Sequence, residues 1–170
     1  LKADNYVLSL GSYSPQLVKP LGIDLLIYPA KGYSATMPVI RPEYAPQVSL
    51  TDDEYKLVFS RLGDRLRIAG TAELNGYSTE LNDVRCKAIT RRVMQLFPDA
   101  VDASRVQYWT GLRPATPSNV PYIGRSKIAN LFLDTGHGTL GWTHACGSGR
   151  ALADIIAGQK PEVDFAFTAL

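Results

Sequence analysis

The sequence predicts an α+β chain, mostly antiparallel sheet with flanking helices, and three observations lead there. Residues 55–62 and 65–69 alternate apolar and polar side chains on either side of Gly63-Asp64, the pattern of a hairpin with one buried face. From about Glu80, Leu81, Val84, Ala88, Ile89, Val93, Leu96 and Phe97 recur at the spacing of one helix face. Near the end, the apolar run Leu131-Phe132-Leu133 passes through a glycine-rich turn into a second helical stretch.

The elements follow in order. Tyr6-Val7-Leu8-Ser9-Leu10 reads as a strand, and Gly11-Ser12-Tyr13-Ser14-Pro15 as turn chemistry after it. Leu25-Leu26-Ile27-Tyr28 and residues 32–37 read as two strands separated by Pro29, ahead of the 55–69 hairpin. The helix from Glu80 is capped by Ser78 or Thr79 and stopped by Pro98. Gln107-Tyr108-Trp109 and residues 131–133 are short strands flanking the link 113–121, which its prolines keep from being helical. The last helix runs from Gly141 or Trp142 to about Ala157, before Gly158 and Pro161.

Composition narrows the function. With 170 residues the chain can fill a core without disulfides, and its net charge of +2 comes from acids and bases spread along the sequence. The absence of any Lys/Arg tract argues against nucleic acid as a partner. Cys86 and Cys146 have no metal-ligand spacing, so no metal is expected, and no apolar run has spanning length. A reducing, cytoplasmic location fits these features. The chain opens at Leu1 and enters a strand within a few positions, which predicts a fragment or processed subunit.

The turn LDTGHGTLGWT, residues 133–143, contains G-x-G-x-x-G between a strand and a helix. A dinucleotide fingerprint also needs a following strand that ends in an acid. Only residues 159–170 follow the helix, so no complete nucleotide unit can be built there. Two readings stay open: a tight turn with nothing bound, or a loop whose N–H groups and helix N-terminus face a phosphate, a carboxylate or a reduced flavin ring. The small residues Ala145, Gly147, Ser148 and Gly149 continue along the helix, at a cost in helix propensity carried mainly by the glycines, as a helix close to another backbone or a flat ligand would require. In Gly111-Leu112-Arg113-Pro114, the arginine ends a strand and can hold a carboxylate bidentately, or be a plain surface residue.

Together, LSLGSYSP (8–15), YPAKGYSATMP (28–38), GLRPATPSNVPYIGRS (111–126) and NLFLDTGHGTLGWTHACGSGRALADIIAG (130–158) resemble the D-amino-acid oxidase superfamily of flavoproteins, in its D-amino acid dehydrogenase branch. The resemblance spans nearly the whole chain but only the C-terminal part of such an enzyme. It implies residues 1–20 as part of an FAD-binding domain and 21–112 as a substrate-binding domain. Residues 113–170 return to the FAD-binding domain with the closing strand and helix of its Rossmann-like fold. The N-terminal FAD-domain strand, the pyrophosphate loop and the ribose-binding acid lie outside this sequence.

The resemblance also implies roles. Arg113 binds the substrate carboxylate and Tyr33, like Tyr108, lines the substrate pocket, although aromatic strand residues also serve as core. Gly138, Thr139, Leu140, Gly141, Trp142 and Thr143 wrap the flavin of FAD, and Gly11 lies beside its dinucleotide part. The implied reaction is hydride transfer from a D-amino acid to flavin, and the imino acid hydrolyses to a 2-oxo acid and ammonia. Electrons leave to a quinone or other acceptor, with peripheral association at the inner face of the membrane as a further expectation. No catalytic acid–base residue is assigned. His137 and His144 compete between general base and hydrogen-bonded structural residue, and Cys146 reads as a packing residue. Ser118-Asn119 stands where many relatives have Asp-Gly. The alternatives are a glycine or sarcosine oxidase-like enzyme using oxygen, and a non-catalytic binding subunit.

Overall fold

The structure, a computed structural model, describes residues 2–169. In chain order these form β1 (Tyr6–Leu8), a 3-10 turn (Gly11–Tyr13) that runs into α1 (Ser14–Val18), and β2 (Tyr28–Pro38). Next come β3 (Leu50–Asp52), β4 (Leu57–Leu62), β5 (Arg65–Glu73) and α2 (Asp83–Leu96). The chain finishes with β6 (Gln107–Ala115), β7 (Tyr122–Arg125), β8 (Leu131–Thr135), α3 (Gly141–Ile156) and β9 (Thr168–Ala169). It divides into two compact units, one of residues 1–29 with 113–170 and one of 30–112.

The first unit is a four-stranded sheet in the order β1-β8-β7-β9. β1 runs parallel to β8, β7 antiparallel to it, and β9 parallel to β7. Successive residues of β8 serve opposite faces. Leu133 packs with Leu8, Val18, Ile23, Leu25 and Ile27, whereas Phe132 packs with Ile123 and with Leu152 of α3. A strand covered on both sides must be apolar at consecutive positions, which is why Leu131-Phe132-Leu133 shows no alternation. The packing of Ile23, Leu25 and Ile27 carries this unit's first segment past residue 20, to Pro29.

The second unit carries a five-stranded sheet in the order β3-β4-β5-β2-β6, with β2–β5, β3–β4 and β4–β5 antiparallel. The hairpin closes at Leu62↔Arg65, as the alternation predicts. Tyr33, Ala35 and Met37 of β2, Leu57 and Phe59 of β4, and Leu66 and Ile68 of β5 bury one sheet face under Cys86, Ile89 and Val93 of α2. Each of the larger side chains contributes about 1.5–3 kcal/mol by leaving water.

The structure corrects several expectations. Pro29 does not separate two strands: β2 runs through it, and since pairing with β5 begins only at Lys31, the missing N–H costs no bond on that side. Residues 11–15 are not a bare turn, since the 3-10 turn continues into α1. α2 is capped by Asn82, whose Oδ1 accepts from the N–H groups of Val84 and Arg85, rather than by Ser78 or Thr79. The buried stripe is Cys86, Ile89 and Val93, while Val84 remains 78% exposed and Leu81 precedes the helix. β6 extends through Arg113-Pro114-Ala115, so the first part of the proline-containing link is strand. The last helix begins at Gly141 and ends at Ile156, close to the expected bounds.

Candidate functional site

The glycine-rich turn starts where β8 ends. Thr135 is buried, accepts a hydrogen bond from Ser14 Oγ at 2.8 Å and donates to the carbonyl of Gly11 at 3.3 Å, which joins the turn after β1 to the end of β8. Gly136 then takes φ +82°, and a Cβ on it would stand 2.9 Å from Thr116 Cγ2 and 3.3 Å from Tyr122 Cδ2. Only glycine satisfies both the dihedral and the space. Gly138, at φ +56°, donates its N–H to the carbonyl of Pro114 at 3.0 Å. A Cβ on Gly11 would lie 3.8 Å from Pro114 Cγ. The turn at Gly11, the Arg113-Pro114 backbone and the loop at Gly138 therefore meet within the first unit.

α3 begins at Gly141 with Leu140 as N-cap, without a side-chain capping bond and without an acid in the first turn. The leading N–H groups of such a helix have no intrahelical acceptor and carry its positive end. Thr139, Leu140 and Thr143 are exposed and Trp142 is 96% exposed. Along α3 a Cβ on Gly147 or Gly149 would meet no atom within 4 Å, so among the described residues nothing presses against these glycines. The expected close approach to another backbone is not made by the described residues. Beside them lies an apolar groove of about 340 Å³, between α3 and residues that include Ile123, Phe165 and Phe167. The open helix end, the positive-φ turn and the uncovered glycines fit a flat ring that gains negative charge on reduction, as the flavin of FAD does.

Arg113 is half-buried, and that burial pulls its guanidinium below the usual arginine range. A charge held against desolvation suits the pairing of its fork with a carboxylate. Tyr33 stands differently from the expectation: it is 1% exposed in the core of the second unit, and its hydroxyl donates to Glu73. Its alternation with Ala35 and Met37 places it on the inner sheet face, so it lines no open pocket. Tyr108 is also held, with its hydroxyl 2.6 Å from Thr90 Oγ1. Lys31 is buried beside Tyr33 and pairs with Glu73 at 3.0 Å; the Tyr33 hydroxyl and this ammonium hold the Glu73 carboxyl below the carboxylate range.

His137 turns inward. Its Nε2 lies 3.0 Å from Ser148 Oγ on α3 and 3.3 Å from Asp134 Oδ1 on β8, and a Cβ on Gly141 would be 3.4 Å from His137 Cβ. Asp134 Oδ1 is buried and, among the described residues, accepts no hydrogen bond, because the imidazole is near but not aligned with it. Burial pushes the Asp134 carboxyl up and the His137 imidazole down, each opposed by the other's charge. Reasoning from sequence passed over Asp134, Thr135, Gly136 and Ser148. The Asp-x-x-His spacing was there to be seen, but no local pattern announces a contact with Ser148. The turn at Ser118-Asn119 forms with Asn119 at φ +58°, which asparagine tolerates better than most residues.

Known proteins bear on this geometry. The D-amino acid dehydrogenase of Dechloromonas aromatica is 62% identical over 167 residues, 98% of this chain and 40% of that protein. The D-amino acid dehydrogenase of Methylobacterium radiotolerans is 52% identical over 96% of this chain and 39% of that protein. The chain thus spans about 40% of the length of these relatives. Among solved structures, glycine oxidase from Geobacillus kaustophilus superposes with a TM-score of 0.86 at 23% identity, over 98% of this chain and 45% of that one, and shares the fold. The family described as FAD dependent oxidoreductase matches residues 1–155, a span that takes in the turn at Gly11, Arg113 and the loop into α3. With these elements aligned along one match, the chain belongs to the FAD dependent oxidoreductase family.

Proposed function

We propose that this chain is the substrate-domain-containing, C-terminal part of an FAD-dependent D-amino acid dehydrogenase. The observation that carries the reading is the hydrogen bond from Gly138 N–H to the Pro114 carbonyl, which ties the backbone beside the carboxylate-binding arginine to the loop that opens α3. Identity of 62% to a D-amino acid dehydrogenase supports the same substrate class.

Arg113 binds the carboxylate of the D-amino acid and fixes the direction from which the α-carbon approaches. Gly138, Thr139, Leu140, Gly141, Trp142 and Thr143 hold the flavin, with the N–H groups at the start of α3 stabilising negative charge on the ring's pyrimidine side. Gly11 stands beside the dinucleotide part. When bound, FAD accepts the hydrogen and electron pair of the α C–H bond. No side chain of this chain is assigned as acid or base, because a substrate that binds with a neutral amine needs none. Tyr33, held in the core, takes no part in binding.

The rest of the FAD domain is supplied by residues outside this sequence. Electrons pass to a quinone or another acceptor; a lipid-soluble quinone would place the enzyme at the inner face of the membrane. No described helix is long and apolar enough to cross one. The likeness to glycine oxidase is one of fold and does not favour oxygen as acceptor.

The test uses the full-length protein. Arg113→Leu should raise KM for D-alanine roughly 30-fold or more, from the loss of about 2–5 kcal/mol of carboxylate pairing. Turnover unaffected by this change would sink the reading in favour of a binding subunit. Reduction of a quinone analogue, against release of hydrogen peroxide, decides the acceptor.

A further inference from the structure

Three features outside the assigned roles were candidates: the apolar groove beside α3, the Lys31–Glu73–Tyr33 network, and the Asp134–His137–Ser148 cluster. Only the last joins a titratable pair to the helix end that faces the cofactor. Asp134 lies on β8 and His137 in the turn, while Ser148 lies two turns along α3. His137 Nε2 is shared between Ser148 Oγ at 3.0 Å and Asp134 Oδ1 at 3.3 Å. The His137 Cβ abuts Gly141, the first residue of α3.

We propose that Asp134 and His137 form a one-proton clamp beneath the first turn of α3, which takes a proton from solvent when the ring bound at that turn gains electrons. This rests on the flavin placement proposed above. Asp134 Oδ1, which accepts no hydrogen bond among the described residues, lies 3.3 Å from His137 Nε2, and a proton taken up by the pair is shared across that gap. With the proton absent, a buried carboxylate and a neutral imidazole leave one negative charge next to the positive helix end. That charge opposes an electron-rich ring in the same field. With the proton present, the pair is neutral overall, whether it rests on the carboxylate or on the imidazole, and the opposition is gone.

The other groups facing the pair set its limits. On α3, His144 has its ring centroid 6.4 Å from that of His137 and disfavours a second positive charge. From β6, Pro114 accepts from Gly138, which brings the Arg113 backbone to the same loop. From β7, Tyr122 lies against Gly136. Burial raises Asp134 and lowers His137, each opposed by the other's charge, so the two affinities converge and the pair exchanges a single proton as one unit. The first proton to bind meets no like charge, whereas a second would have to be held as a buried cation.

Electrons and protons balance simply. The two electrons come from the substrate α C–H bond, and the extra proton comes from solvent to the His137–Asp134 line. By linkage, a proton gained on two-electron reduction shifts the equilibrium tenfold per pH unit, about 30 mV for a two-electron couple. This shift adds to the flavin's own proton dependence, between the pH where the pair binds its proton with the ring oxidised and the higher pH where it does so with the ring reduced.

The experiment measures the reduction potential of FAD in the full-length protein across this pH range, with mediator dyes at equilibrium. Wild type should show the additional slope, and Asp134→Asn and His137→Gln should each remove it; glutamine keeps a donor toward Ser148 but does not titrate. Should Asp134→Asn fail to hold FAD, His137→Gln decides. A wild-type slope without the extra proton overturns the clamp, as does an unchanged slope in His137→Gln. Anaerobic reduction of the FAD by D-alanine is followed separately. If D-alanine reduces the flavin and the extra slope is missing, the clamp alone fails, whereas FAD with the extra slope but no reduction by D-amino acids overturns the substrate reading alone.

Discussion

Gly136→Ala is the sharpest probe of the turn that ends β8. The new methyl would stand 2.9 Å from Thr116 Cγ2, 3.3 Å from Tyr122 Cδ2 and 3.5 Å from Ile27 Cδ1, with the backbone at φ +82°. None of these neighbours can swing away easily. Thr116 is buried and its hydroxyl donates to Val120 O at 3.0 Å, and Tyr122 sits on β7 with its hydroxyl accepting from Leu26 N–H. The left-handed backbone costs about 1–2 kcal/mol for a residue with a Cβ, and overpacking adds about 1–3 kcal/mol. The loss of unfolded-chain freedom returns about 0.4–1 kcal/mol, for a net destabilisation of about 1–4.5 kcal/mol. Gly138→Ala is the control, because its φ is +56° but a Cβ there meets nothing within 4 Å. Only the backbone cost remains at that position. Urea unfolding of both variants in the absence of FAD, so that an altered cofactor affinity adds no linkage contribution, should separate them by the packing term, about 1–3 kcal/mol. A difference below about 0.5 kcal/mol, within the usual scatter of distant surface changes, would refute the steric reasoning.

Other outcomes follow from the same geometry. Asp52 is half-buried, and Arg92, whose Nε lies 2.6 Å from its Oδ2, holds its carboxyl below the usual range. A depressed folded pKa stabilises the fold above the unfolded carboxylate pKa, and the contribution disappears as pH falls through the lower folded value. Arg92→Met should therefore flatten stability against pH on the acid side while leaving it flat near neutrality, read by unfolding across an acid pH series; an unchanged acid limb contradicts the pairing. Cys146 is exposed on α3, whereas Cys86 is buried in the core with its thiol pushed up by desolvation. A thiol reagent at neutral pH should modify Cys146 quickly and Cys86 only after unfolding, and Cys146→Ser should abolish the fast phase. Pro114→Ala frees the backbone that presents its carbonyl to Gly138, so in the full-length enzyme its effect on KM should not add to that of Gly138→Ala. A double-mutant cycle that closes to within about 0.5 kcal/mol would show the two sites to be independent.

What could be read in the sequence was what is local. The 55–69 hairpin was legible because one face is buried and the other is wet, so its side chains alternate, and α3 because its start and stop residues are adjacent in the chain. β7 was missed because Tyr122-Ile123-Gly124-Arg125 is four residues between β8 and β9, paired on both sides, with a glycine in the middle. α2 was found, but its buried stripe was taken from hydrophobicity. The sheet instead selects Cys86, Ile89 and Val93 and leaves Val84 in water, which no pattern within the helix reveals. In the site, Arg113 and the glycine loop were visible as motifs. The motif around Tyr33 leaves substrate pocket and core both open because it says nothing of sheet parity, which Ala35 and Met37 on the same buried face fix. The contacts of Thr135 with Gly11 and of His137 with Ser148 depend on residues 124 and 11 positions apart, and only the folded chain brings them together.

The meeting of Gly11, Pro114 and Gly138 gives a structural reason for a proline after Arg113, the residue proposed to bind the substrate carboxylate. Proline keeps the preceding residue out of the helical region, which holds the Arg113 backbone extended at the end of β6. It has no N–H of its own to satisfy, and its carbonyl accepts the amide of Gly138 at 3.0 Å. That amide can point at the carbonyl because Gly136 and Gly138 both take positive φ. One backbone hydrogen bond thus links the root of the Arg113 side chain to the loop that leads into α3. Hydride transfer is steeply sensitive to the distance and angle between donor carbon and ring. On the proposed function, a shared anchor makes those two coordinates move as one, so a displacement of Arg113 carries the loop before α3 with it instead of opening a gap between them.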